Sequence, residues 1–443
     1  MSIVALTITL LALILAISKL HVHPFLALLC CGLFLGLATG MPMDKTLDSL
    51  LDGFAGTLKG IGIVMVLGAV IGEILTETGG SFRIAESTLR LTGEKRVPLA
   101  MGLTGYVIAI PVFVDVAYIM LQPITEMLAV KSKRTIIVTG LSLTAGLTAT
   151  HALLPPTPGP LAAAGLVGAN LGKVILINAF VAAFSVIGGL LWVLFACGKI
   201  ELPYDRTIRD KVLQKETLQE RAFQKPSLVF SLGPIFLPLC LITLASLSQI
   251  DSFAIPKSSV IQFLGTPVIA LLIGLALASL LLNKGSRMPQ LRSIVERSIE
   301  KAAAVIMITG AGGAFGGVIK ASTIGSDVST AITGSGIPGL LLPFLLAAGL
   351  TTATGSLTVS MVTTSSIVAS MLGSLNLSPE MAVALIGAGS FCVFHANASF
   401  FWLLNRLHDI PPNVLYRTYT LQSLCMGLCG LLAVIILRVV GVR

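Results

Sequence analysis

Only one long stretch of this chain, Lys199–Lys225, is hydrophilic; elsewhere apolar runs follow one another from end to end. Charged residues make up 11% of the 443, with a mean hydropathy of +0.96, against about 25% charged residues in ordinary soluble domains. A chain with so few charges spread over its whole length has a bilayer for solvent. There every backbone polar group must be satisfied internally, so the expected fold class is an all-α polytopic membrane protein. The net charge of +9 reads as loop lysines and arginines obeying the positive-inside rule. Basic residues are not clustered with aromatics, which argues against a nucleic-acid partner. The seven cysteines (Cys30, Cys31, Cys197, Cys240, Cys392, Cys425 and Cys429) lie in apolar runs without zinc-type spacing, so neither a metal site nor a disulfide framework is indicated. Nothing in the composition calls for a cofactor.

A spanning helix needs about 20 apolar residues. Candidate crossings are Ser2–Ile17, Phe25–Ala38, Gly60–Leu75, Thr135–Leu154 with its continuation, Val174–Cys197, Leu228–Leu247, Ile261–Leu282, Ala302–Ile319, Met381–Leu404 and Thr418–Val439. The first has no basic residue ahead of it and no small-residue cleavage site before Lys19, so it is expected to be a helix and not a leader. Two apolar regions are interrupted: Val97–Val130 at Pro111, and Ile337–Leu372 by "TTATGSLTVS" (Thr351–Ser360). If both return to the side they started from, 22 of the 29 basic residues fall on one side. That side is then cytoplasmic and both termini lie outside. Two full crossings in each region would restore the same side, so the charges do not distinguish them from re-entrant hairpins. The expected plan is a first transmembrane half over 1–198, with a hairpin near 97–130 and a broken helix near 135–168. A cytoplasmic linker over 199–227 and a second half over 228–443 follow, the latter with a hairpin near 337–372 and a broken helix near 381–405.

The halves resemble each other. "GAVIGEILTETGG" (Gly68–Gly80) lies over "GAFGGVIKASTIG" (Gly313–Gly325) at an offset of 245, with six of thirteen positions identical. Small residues at this spacing also serve tight helix packing without common ancestry. The same offset sets the Pro111 break over Ser356, and an offset of 244 sets His151 over His395. On the charge argument the paired segments cross in opposite directions, which makes two inverted-topology repeats, the architecture of many secondary transporters.

In such folds the substrate sits between broken helices that aim free backbone groups and helix dipoles at it. Four segments qualify: "IPVFVDVAYIMLQPI" (Ile110–Ile124), "TTATGSLTVSMVTTSS" (Thr351–Ser366), "THALLPPTPGP" (Thr150–Pro160) and "FHANASFFW" (Phe394–Trp402). Pro111, Pro155 and Pro156 break helices by removing donors. Asp115, an ionisable group within a membrane segment, is the foremost candidate for proton coupling; the alternative is an aspartate at a helix end near water. His151 and His395 are candidates for binding an anion or carrying a proton, against the plainer role of donating to a backbone carbonyl. The hydroxyl run from Thr351 to Thr364 offers groups for a polyhydroxylated solute, of which two or three are expected to line the site. Glu73, near the end of its helix, reads as interfacial.

On "IPVFVDV", "PPTPGPLAAAGL", "TGAGGAFGGVI", "GSLTV" and "HANASFFW", in order along the whole chain, the sequence resembles the gluconate permease (GntP) family of proton-coupled sugar-acid transporters. The resemblance implies an ion-transporter-like fold of two inverted repeats, often dimeric, in the cell inner membrane. It implies a small organic acid as substrate (a gluconate-like sugar acid, a hydroxy acid or a D-amino acid such as D-serine) and H⁺ as coupling ion. Carried over residue by residue, it implicates Asp115, His151, Pro155, Pro156, Gly159, Gly355, Ser356, Thr358, His395 and Asn397, with Thr157 beside them in the proline-rich break. The chain departs from the family pattern at Thr157, Ala398 and Phe400, where relatives often carry histidine, aspartate and glycine. It departs again at Thr351 and Thr354, where arginine and glutamine are common. Without that arginine, the obvious bidentate partner for a carboxylate is missing.

Other classes are weaker. A sodium-coupled carrier of the same architecture is the near alternative, because unwound carbonyls and hydroxyls also hold Na⁺. An intramembrane enzyme lacks an HExxH motif, a GxGD motif and a nucleophile elbow, and a channel would need charge rings or a repeated filter.

Overall fold

The apolar runs become helices in a computed structural model that describes residues 2–92, 96–198, 200–205, 208, 226–249, 258–324, 327 and 338–442. The first half contains α1 (Ser2–Ser18), α2 (Pro24–Ala38), α3 (Met43–Glu77), α4 (Gly80–Thr92), α5 (Val97–Ile108), α6 (Val114–Lys131), α7 (Ile136–Leu153), α8 (Pro158–Val167) and α9 (Leu171–Trp192). The second contains α10 (Leu228–Leu247), α11 (Ser259–Leu264), α12 (Pro267–Ser279), α13 (Arg287–Ala321), α14 (Leu341–Thr354), α15 (Leu357–Val368), α16 (Leu372–Leu375), α17 (Pro379–Ser390), α18 (Ser399–His408), α19 (Pro412–Leu415) and α20 (Leu421–Val439). Most of the expected linker 199–227, and residue 337 at the start of the second hairpin region, lie outside the described residues.

Local chemistry sets several boundaries. Asn170 and Ser378 cap α9 and α17 by accepting from Lys173 N (3.1 Å) and Met381 N (3.4 Å). Pro158 and Pro379 occupy first-turn positions where a missing N–H costs nothing. Some expected crossings differ from the helices found. Gly60–Leu75 and Ala302–Ile319 are only the apolar parts of the 35-residue α3 and α13. Ile261–Leu282 divides between α11 and α12, where Pro267 starts a new helix. Met381–Leu404, where a broken helix was expected, divides into α17 and α18 around an unwound Phe391–Ala398.

Among the described residues, six helices are long and apolar enough to cross a membrane. Large apolar side chains such as Leu11, Phe195, Val229 and Phe263 stand exposed, as lipid-facing residues should. By contrast α5, α14 and α15 have 12, 14 and 12 residues. At about 1.5 Å per residue each falls short of the roughly 30 Å hydrocarbon core.

The two 35-residue helices, α3 and α13, pack together closely. Gly53 meets the Gly313 carbonyl and Gly317 meets that of Ser49. Farther along, Glu73 pairs with Lys301 and Glu77 with Arg297. Numbers rise along one helix as they fall along the other, so the pair is antiparallel. The innermost element is α7, every residue of which is buried except His151.

Candidate functional site

Hairpin α5–α6 turns through Ala109–Phe113, and the Pro111 carbonyl is pressed onto α3 at Gly72. A Cβ there would stand 2.1 Å from that oxygen, so only glycine admits the turn. Beyond it the Phe113 ring lies 5.8 Å from that of His151 in the last turn of α7. His151 Nδ1 is buried and has no hydrogen-bond partner among the described residues.

The α7–α8 break is four residues long, Leu154–Thr157. The Leu153 carbonyl it frees accepts from Asn178 Nδ2 at 2.7 Å, and the Thr157 hydroxyl donates to the Leu154 carbonyl. This is how non-helical backbone is tolerated at membrane depth: buried and re-satisfied by neighbouring side chains. Gly159, just past the break, lies under Met361 and Leu357 of α15. Thr157 and Gly159, both expected at the substrate, are therefore buried against protein.

The second half builds the corresponding contact from different parts. Hairpin α14–α15 turns at Gly355 (φ +72°) and Ser356, whose hydroxyl accepts from Val359 N at 3.3 Å. The α17–α18 break is eight residues long, and it clamps the end of α14. His395 Nε2 donates to the Thr352 carbonyl at 2.9 Å, and Asn397 Nδ2 donates to the same oxygen at 2.6 Å and to that of Thr351 at 3.4 Å. The Asn397 carbonyl in turn approaches Gly355 so closely that a Cβ would stand 2.1 Å from it. Ser423 holds the start of the break, accepting from Phe394 N at 3.0 Å.

Each hairpin turn thus approaches the break of its own half, while its second helix also touches the other half. On one side α15 packs on α8. On the other, Tyr118 of α6 makes an edge contact with Phe400 (5.3 Å) and its hydroxyl lies 2.9 Å from His408 Nε2.

Asp115 stands in the first turn of α6, where the helix dipole favours its charge. It is exposed, it does not cap the helix, and no hydrogen bond or ion pair to it is found among the described residues. The short turn after Pro111 places the residue at the start of the helix and on the protein surface. Part of the hydroxyl run is occupied, whereas the buried hydroxyls of Thr351, Thr363 and Thr364 have no hydrogen-bond partner among the described residues. Thr352 and Thr354 donate to carbonyls four residues back, Ser360 to Ala347, and Ser366 to Gly312. Thr358 remains half-buried beside the turn. Sequence reasoning missed Tyr118–His408, Asn178 and Ser423. Their partners lie far away in the chain, and the one available signal was Tyr118 falling a helical turn after Asp115.

Paired hairpins and interrupted helices inside a multi-pass apolar bundle are the build of a membrane transporter. The chain belongs to the GntP permease family: the family model described as GntP family permease matches residues 1–440. It is 31% identical over 441 residues to a protein of Pseudomonas aeruginosa named gluconate permease, covering 98% of this chain and 96% of that one. Two proteins of Escherichia coli are each 29% identical. One is named high-affinity gluconate transporter (99% and 100% covered), the other Gnt-II system L-idonate transporter (95% and 95%). Among solved structures, the YdaH transporter of Alcanivorax borkumensis, described as having an unusual topology, shares the fold. Its TM-score is 0.62 at 16% identity, over 95% of this chain and 99% of that one. The chain is accordingly a multi-pass membrane permease and not an enzyme.

Proposed function

We propose that this permease is a secondary active carrier of a small sugar-acid anion, working by proton symport into the cell. The observation that carries this reading is the pairing of each hairpin turn with a helix break. His151 supports it further, as the one residue of α7 that is not fully buried, with an unpaired Nδ1 beside the first turn. The relatives named for gluconate and L-idonate transport support a sugar acid as the cargo. His151, Thr358 and the backbone of both turns line the substrate's path. Gly355, Ser356, His395 and Asn397 shape the second turn. Asp115 carries the coupling proton.

The antiparallel α3 and α13, of equal length, support two inverted repeats, and the short hairpin helices support re-entrant segments. The side rich in lysine and arginine is cytoplasmic, with both termini outside. Uptake of labelled gluconate, L-idonate, glycerate, lactate and D-serine into proteoliposomes, with and without an inward proton gradient, tests the reading. Saturable uptake of one acid, stimulated by the gradient, is expected. Uptake that requires sodium and ignores the proton gradient would remove Asp115 from its role.

A further inference from the structure

The start of the linker is docked onto the helices. Leu202 is buried in the core. Asp205 Oδ1 accepts from Ile136 N, at the open start of α7, at 2.7 Å, and its Oδ2 accepts from Leu202 N at 2.8 Å. The free N–H groups of a helix start favour a carboxylate in this place. With its neighbour so fixed, Tyr204 reaches between α6 and α18. Its hydroxyl donates to Glu126 Oε1 of α6 at 3.0 Å, an oxygen that also accepts from Gln122 Nε2 at 2.8 Å. Its ring lies 5.6 Å from that of His408, the last residue of α18, inclined at 64°. His408 Nε2 is 2.9 Å from the Tyr118 hydroxyl of α6, and His408 Nδ1 is buried with no hydrogen-bond partner among the described residues.

The two halves differ at this contact. Helix α15 packs directly on α8, whereas α6 and α18 do not pack closely and meet through side chains. Tyr118 bridges them by way of Phe400 and His408, and Tyr204, from outside both helices, fills the space between Glu126 and His408. This contact is opposed from within. Asp409, just past α18, acts together with Glu126 on the Tyr204 hydroxyl, so the joined elements present two carboxylates that repel each other. A buried His408 Nδ1 without a partner is a further cost, one that water would relieve if the ring moved away. From this geometry we infer that Tyr204 is a latch. It positions α6 against α18 in the present conformation and must leave Glu126 and His408 once in each transport cycle. The inference rests on the carrier reading and goes beyond it, because it gives the linker a part in the motion.

The test is a reversible tether on the full-length protein in proteoliposomes. Tyr204→Cys combined with Glu126→Cys puts one thiol on each side of the latch. A bis-methanethiosulfonate long enough to span the replaced side chains joins them through disulfides that dithiothreitol cuts. The probe is counterflow of labelled gluconate, or of the member of the panel that the wild type takes up. The untethered double variant should exchange substrate at the wild-type rate or faster, since the bond it lacks is one that has to break. Tethering should slow exchange by roughly tenfold or more while leaving substrate binding unchanged, and dithiothreitol should restore the rate. Each single-cysteine variant, treated alike, should keep its rate, which accounts for the exposed Cys30 and Cys240. If the tethered protein, its tether confirmed by mass, exchanges as fast as the untethered one, the latch is overturned and the carrier reading stands. Should the cysteines unfold the protein, Tyr204→Phe and Glu126→Gln each remove the same hydrogen bond by the smallest change. Both should exchange at least as fast as the wild type; loss of exchange in both, with the melting temperature kept, would overturn the latch as well. A wild type that takes up none of the acids overturns the carrier reading, and the latch with it.

Discussion

The two helix breaks do one job with different chemistry. Between α7 and α8 the chain spends four residues, two of them Pro155 and Pro156, and removes backbone donors covalently. Of the carbonyls this frees, that of Leu153 is met by Asn178. Between α17 and α18 it spends eight residues without a proline, and side chains hold the opening: Ser423 at its start, His395 and Asn397 at its end. The first break rests on residues that have no donor to give, whereas the second rests on bonds to α20 and to the end of α14.

The asymmetry extends to charge. At the 245-residue offset Asp115 corresponds to Ser360, a buried hydroxyl that donates to Ala347. Only the first half therefore carries a titratable group on its hairpin. The largest expected effect follows from this. Asp115→Asn should abolish proton-driven accumulation of substrate in proteoliposomes while leaving counterflow exchange measurable; Ser360→Ala should accumulate normally. Active accumulation by Asp115→Asn would erase the distinction between the hairpins. Next comes Gly355→Ala. A side chain there must hold a left-handed conformation at about 1–2 kcal/mol and displace the Asn397 carbonyl at about 1–3 kcal/mol, so uptake should be nearly lost and the melting temperature lowered.

Asn397→Ala removes one of two donors on the Thr352 carbonyl and should cost about 1–3 kcal/mol. Combined with His395→Ala it should cost less than the sum of the two single losses if both serve to hold the same turn; a purely additive double mutant in thermal denaturation would mean they act separately. Pro158→Ala sharpens the contrast from the other side. Its N–H would be an unneeded donor at a helix start, so a loss of well under 1 kcal/mol and near-normal uptake are expected. A severe defect there would show that the first break, too, depends on finely set docking.

The sites of the breaks were legible to different degrees for the same reason. Proline announces itself, so the first break and the turn at Pro111 have a local mark in the sequence. "SFCVFHANAS" contains no residue that forbids a helix, and its unwinding comes from Ser423, Thr351 and Thr352, which are distant in the chain. The pairing of His151 with His395 at an offset of 244 held as arithmetic but not as geometry. His151 ends a helix with an unpaired nitrogen, whereas His395 lies inside an unwound segment and is bonded to a carbonyl. Glu73 was read as interfacial, and it is near the end of α3. Nothing in the sequence pointed from it to Lys301, 228 residues away.

Hydropathy, proline positions and charge distribution by themselves determined that the chain is a helical membrane protein with two interrupted regions in each half. Each of these depends only on a residue's own side chain or on a missing N–H, and needs no partner. Which polar groups remain free could be decided only by tertiary structure, because it depends on what lies opposite. Thr157, Thr352, Thr354 and Ser360 donate to carbonyls and Gly159 is buried under Met361, while the buried hydroxyls of Thr351, Thr363 and Thr364 and His151 Nδ1 have no hydrogen-bond partner among the described residues. In an interior where every buried polar group needs a partner, the tertiary contacts and not the side chain itself decide which are satisfied.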